Sequence, residues 1–147
     1  MTENVPSKKR TILLVEPNDF IKDALRRSLE IEDFIVDTAP SAAEGLRMIK
    51  LNPFDIIIAD YELMDLNGLD FFLLTQRIQK DTHKILMTTY GELKTLSDIR
   101  KYGIDDAIEK PFPFDQLIHV IERNLGCTKN DRGRTTGRPK RQGGVSS

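Results

Sequence analysis

The chain has 147 residues, a length that favours a single domain with a sizeable core. Hydrophobic residues make up 39% and charged residues 31%, a globular mixture rather than a disordered one. The net charge of −1 hides a division: residues 128–147 carry six basic side chains and one acid, a net of +5, which leaves the remainder at −6. The single cysteine, Cys127, excludes an internal disulfide framework and fits a reducing compartment. Apolar runs such as Ile12 to Val15 and Ile56 to Ala59 are too short to span a bilayer. Lys8-Lys9-Arg10 precede an apolar stretch that stops at Glu16-Pro17, too early for a signal-peptide core. The expectation is a soluble cytoplasmic protein.

Strands and helices alternate along the body. Thr11 to Val15 is a continuous apolar run, as in a strand buried on both faces of a parallel sheet. From Asp19 to Leu29, Phe20, Ile21, Ala24, Leu25, Ser28 and Leu29 recur at helical spacing and predict the buried face, with Lys22, Asp23, Arg26 and Arg27 outside. Phe34 to Thr38 is a second strand. Ser41 caps a helix running to Lys50, with Glu44 completing a capping box. Asp55 to Ala59 is a third strand, Leu69 to Gln79 a helix, Lys84 to Thr88 a strand, and Glu92 to Tyr102 a helix closed by Gly103. Asp106 to Glu109 and Phe114 to Leu125 form the last strand and helix, ended by Gly126. Five strand–helix units with short connections argue for an α/β fold, a doubly wound parallel sheet covered on both faces. The domain reading is a flexible stretch over 1–10, a folded unit over 11–126, and a basic disordered tail or truncated linker over 127–147.

Ligands of open parallel sheets bind outside the carboxyl ends of the strands. Glu16, Asp60, Thr88 and Lys110 end strands one, three, four and five, so two carboxylates, a hydroxyl and an ammonium converge on one edge. Such a set suits Mg²⁺ beside a phosphoryl group: carboxylates hold the cation, while Lys and Thr meet phosphate oxygens. Thr89 competes with Thr88, and counting back from Gly103 favours Thr88.

Ile12-Leu-Leu-Val-Glu16, Asp55-Ile-Ile-Ile-Ala-Asp60 with Gly68, Leu86-Met-Thr-Thr-Tyr-Gly91, and Gly103 leading to Lys110-Pro111-Phe112 carry a resemblance to a known family. From Thr11 to Leu125 the chain resembles the CheY-like receiver domain of two-component response regulators. That resemblance implies a flavodoxin-like five-stranded sheet of order 2-1-3-4-5. It implies that Asp60 accepts a phosphoryl group from a phosphohistidine on a sensor histidine kinase or phosphotransfer protein. Glu16, Asp60 and the backbone carbonyl of Glu62 would hold Mg²⁺, Thr88 would hydrogen-bond the phosphoryl oxygen, and Lys110 would pair with it. The Lys110–Pro111 bond is open to the cis form, which X-Pro permits at modest cost. The output would be protein–protein contact with a downstream partner, around the fourth predicted helix, last strand and last helix. The chain would act as a phosphoacceptor rather than an enzyme, and a homodimer stays open.

Three positions depart from the family pattern. Pro17 stands where a second metal-ligating acid is usual, which weakens the metal site; the side chain of Glu62 is a candidate replacement. Met64 replaces the usual proline of the loop after Asp60. Ala107 occupies the switch position, where many members carry an aromatic residue, so output by Thr–aromatic coupling is not expected.

The remaining features read more plainly. His83, His119 and Cys127 have no ligand or nucleophile partners at useful spacing. Phe112 and Phe114 fit core packing as well as a partner anchor. Arg132 to Arg141 holds split fragments of an AT-hook, and a solvated tail or linker is preferred to DNA contact. Three functions compete. The first is a phosphorylatable receiver; the second is a pseudo-receiver binding module in which Pro17 has impaired Mg²⁺ binding and phosphorylation. The third, a small phosphatase or flavin carrier, lacks the second acid or the phosphate loop it needs after strand one.

Overall fold

The computed structural model describes residues 9–89, 91 and 99–126. Five strands form one all-parallel sheet: β1 (Thr11–Val15), β2 (Ile35–Ala39), β3 (Ile56–Asp60), β4 (His83–Thr89) and β5 (Asp106–Lys110), in the order β2-β1-β3-β4-β5. The doubly wound α/β sheet and its order are those expected from the sequence. The helices are α1 (Asp19–Ile31), α2 (Ala42–Leu51), α3 (Gly68–Ile78) and α4 (Phe114–Leu125), with a 3₁₀ turn over Ile99–Tyr102. The helix predicted from Glu92 begins outside the described residues, and its final stretch is that 3₁₀ turn. The tail, with Cys127, also lies outside them.

The apolar strand runs are explained by two cores. Side chains alternate across each strand, so Leu13, Val15, Ile57, Ala59 and Leu86 face Ile49 of α2 and Phe71 and Phe72 of α3. Ile12, Leu14, Ile56, Ile58, Ile85 and Met87 face Leu29 of α1 and Leu117, Val120 and Ile121 of α4. Observed strands differ from the expected ones by a residue or so at their ends. β3 extends to Asp60, and β5 to Lys110, because both still pair in register with β4.

The buried face of α1 needs correction. Phe20 is 83% exposed and Ala24 is exposed, whereas Leu29 is buried and Ile21, Lys22, Leu25 and Arg26 are half-buried. The helix is rotated toward Lys22, whose side chain is only 13% exposed and whose ammonium pairs with Asp19 at 3.0 Å. Periodicity had merged two apolar stripes into one.

At α2, Ser41 Oγ accepts from the Glu44 amide as expected, but the reciprocal half of the capping box is missing because the Glu44 carboxylate takes Arg47 instead. The other free amides are capped from a distance: Asp65 accepts from Ala42 N at 3.0 Å and Ala43 N at 2.9 Å. Desolvation works to raise the Asp65 pKa, and the amides of Ala43, Ala42 and Asp65 itself outweigh it, holding the carboxyl below its ordinary value. Asp65→Ala is expected to cost about 1 kcal/mol at pH 7. A depressed carboxylate stabilises the fold above its unfolded pKa and is lost as pH falls through the folded value. The gap between wild type and variant in urea midpoints should therefore close in acid, below pH 3.8.

Candidate functional site

The carboxyl edge of the sheet gathers three of the expected residues. Glu16 follows β1 directly and is only 1% exposed. Its amide donates to the Ala39 carbonyl at 3.0 Å, which pins the β1 end to β2. Its Oε2 accepts from the Asn18 amide at 3.0 Å, while Asn18 Oδ1 caps α1 by accepting from Ile21 N at 2.9 Å. Pro17, between them, precedes the Asn18 cap and so stands outside the first turn of α1.

Asp60 ends β3, with a side chain 13% exposed. Lys110 ends β5, and its Nζ reaches both acids: 3.1 Å to Asp60 Oδ2 and 3.2 Å to Glu16 Oε1. The Lys110–Pro111 peptide bond is cis. Burial acts to lower the Lys110 pKa; the charges and hydrogen bonds of Asp60 and Glu16 prevail and raise it above the ordinary lysine value. The ammonium thus sits as a cationic bridge between two carboxylates, a site with an excess negative charge.

The other candidates stand apart from this bridge. Thr88 is fully buried near the end of β4 and, by strand alternation, lies on the sheet face of Leu86, opposite the face that carries Asp60 and Lys110, so the sequence preference for Thr88 over Thr89 is corrected. Its hydroxyl has a long 3.4 Å contact to the Thr89 carbonyl, whereas Thr89 is exposed, pairs in register with Lys110 and shares its sheet face. Ala107 pairs with Leu86 and packs half-buried against the core beneath α3. Glu62 is exposed on the loop after Asp60, bridged through its backbone to Asn67, and its side chain is not drawn into the Lys110 bridge. Among the described residues, no three His, Cys, Asp or Glu side chains are grouped to hold a metal.

Sequence reasoning quoted Gly68 for the resemblance but missed its role. At the start of α3 it donates to the Tyr61 carbonyl at 2.6 Å, and a Cβ there would lie 2.5 Å from the Asp60 carbonyl oxygen and 2.8 Å from Leu86 Cδ1. Its lack of a side chain lets α3 close directly over the loop that follows Asp60. Asp65 was also missed, because its partners are more than twenty residues away.

Residues 12–122 match the response regulator receiver domain, and the chain belongs to that family. It is 29% identical over 112 residues to the photosynthetic apparatus regulatory protein RegA of Cereibacter sphaeroides, covering 76% of this chain and 61% of RegA. It is 28% identical over 118 residues to the transcriptional regulatory protein GlrR of Escherichia coli, covering 80% of this chain and 27% of GlrR. The chain thus spans about three fifths or less of these relatives' lengths. Among solved structures, a CheY-like receiver domain protein from Methanospirillum hungatei superposes with a TM-score of 0.77 at 26% identity, covering 87% of this chain and all of the other. The response regulator TrrA of Thermotoga maritima, solved with Mg²⁺ and BeF, has a TM-score of 0.70 at 28% identity, covering 78% of this chain and 97% of TrrA. Among the described residues, no helix is long and apolar enough to cross a membrane.

Proposed function

We propose that this receiver takes a phosphoryl group onto Asp60 from a phosphohistidine of a sensor histidine kinase or phosphotransfer protein, and signals through protein contacts. The observation that carries the reading is the Lys110 bridge, which holds an ammonium 3.1 Å from Asp60 and 3.2 Å from Glu16 at the open edge of the sheet. An Asp60 carboxylate oxygen forms the new O–P bond as the P–N bond breaks, and the electron pair leaves with the donor imidazole. The transferred group passes through a loose transition state, so catalysis is positioning and charge neutralisation. Lys110 moves its contact from the Asp60 carboxylate to a phosphoryl oxygen, and the hydroxyl of Thr89, the register partner of Lys110 on the same sheet face, donates to another.

The donor set fits Mg²⁺, which is held by one or two carboxylates together with phosphate oxygens and water. Glu16, Asp60 and the Glu62 carbonyl would hold it, and when bound it would neutralise charge developing on the phosphoryl oxygens. Pro17 supplies no carboxylate to this set. That residue favours a second reading, a binding module with a fixed surface and impaired phosphorylation.

A Mg²⁺ titration followed by phosphoryl uptake from acetyl phosphate distinguishes them. Pro17→Asp restores an acid beside Glu16 and is expected to tighten Mg²⁺ binding about tenfold and to accelerate uptake. Glu62→Ala should weaken binding if its side chain supplies the missing ligand. Unchanged Mg²⁺ affinity in Pro17→Asp would contradict a metal at Glu16 and Asp60. Uptake in Pro17→Asp alone would establish the fixed-surface reading for the natural chain.

A further inference from the structure

We infer that the outward face of α1 is a self-association surface, on which α1 of a second copy packs antiparallel about a two-fold axis. Phe20 and Ile31 are each 83% exposed, the most exposed large apolar side chains of the helix. With about 100° of rotation per residue, Phe20, Ala24, Arg27 and Ile31 fall within one narrow stripe, and Asp23 flanks it on the Arg27 side. Phe20, Asp23, Ala24, Arg27 and Ser28 line an open groove of about 360 Å³. Large apolar groups stand at both ends, with Ala24 and the long Arg27 side chain between them and Asp23 and Ser28 at the flanks.

Charge selects a second copy as the occupant. Among the described residues Arg27 has no acidic partner in its own chain. Asp23 has only Arg26 Nη2 at 3.9 Å, beyond hydrogen-bond range, because Arg26 engages Glu30 at 3.1 Å. At about 1.5 Å rise per residue, an antiparallel pair centred between Leu25 and Arg26 sets Phe20 of each copy level with Ile31 of the other. The same register brings Asp23 within about 2 Å axially of Arg27 of the second copy, on the same flank of the interface. One surface thereby supplies both signs to itself, as an isologous two-fold contact requires.

Two thirteen-residue helices bury less than the 1,200 Å² or so of a stable complex, so the association is weak and concentration-dependent. Sedimentation equilibrium of the full chain from about 10 to 500 μM should show the mean mass rising toward that of a dimer. Arg27→Glu sets like charges face to face and should weaken association about tenfold, as should Asp23→Arg. The double variant D23R/R27E rebuilds the pair with its signs exchanged and should recover association to within about threefold of wild type. All these positions are exposed, and circular dichroism checks that the fold is kept. A wild-type chain that stays monomeric throughout would overturn the inference, as would single variants that associate as well as wild type. So would a monomer whose α1 variants lose phosphoryl uptake from a histidine kinase alone, which would give the face to that kinase.

Discussion

Gly68→Ala is expected to destabilise the fold by about 3 kcal/mol, at the upper end of what overpacking costs. The added Cβ meets the Asp60 carbonyl oxygen at 2.5 Å and Tyr61 Cα at 3.0 Å, and both are backbone that cannot swing aside as a side chain would. The Leu86 methyl at 2.8 Å closes the third direction. Relief therefore has to come from lifting α3 off the β3 end, which also strains the 2.6 Å hydrogen bond from Gly68 N to the Tyr61 carbonyl. Urea unfolding measures the loss, and a change below about 1 kcal/mol would show that the α3 entry yields easily. The same displacement moves the loop after Asp60, so phosphoryl uptake should fall with stability.

Lys110→Met is the second large effect. Among the described residues it removes the only cation bonded to Glu16, a carboxylate just 1% exposed, and leaves that charge with the Asn18 amide and a neighbouring Asp60. Breaking a fully buried pair costs about 3–5 kcal/mol; Lys110 is 23% exposed and the Asn18 bond survives, so about 2 kcal/mol is expected at pH 7. Adding Asp60→Asn should return part of that loss, since it removes one of the two facing acids. The pH dependence has a definite sign. The Lys110 pKa is raised on folding, so its contribution is fully present below the ordinary value of 10.5 and is lost as pH rises through the folded value. Wild type should lose stability in that alkaline window more steeply than Lys110→Met, and parallel curves in urea midpoints would show that the bridge contributes nothing.

The sequence made the sheet legible because strands covered on both faces read as unbroken apolar runs, and Ile12 to Val15 and Ile56 to Ala59 are such runs. Site residues were legible for the same reason: each polar residue that closes a run marks a strand end, and Glu16, Asp60 and Lys110 do meet there. The bridging contact itself was not, since Lys110 lies 94 residues from Glu16 and 50 from Asp60, and only the β1-β3-β4-β5 order brings them together. The α1 face failed for a different reason. Phe20 and Ala24 obey helical periodicity as well as Leu25 and Leu29 do, and periodicity carries no sign that says which stripe meets the core. Asp65 gave no local signal either, because its side chain caps a helix 23 residues earlier.

Intact-mass measurement after incubation with acetyl phosphate, with and without Mg²⁺, tests the central claim most directly, with Asp60→Asn alongside. The account predicts a gain of one phosphoryl group that requires Mg²⁺, maps to Asp60 and is absent from the variant. A gain that persists in Asp60→Asn, or no gain from either acetyl phosphate or a histidine kinase, would contradict it.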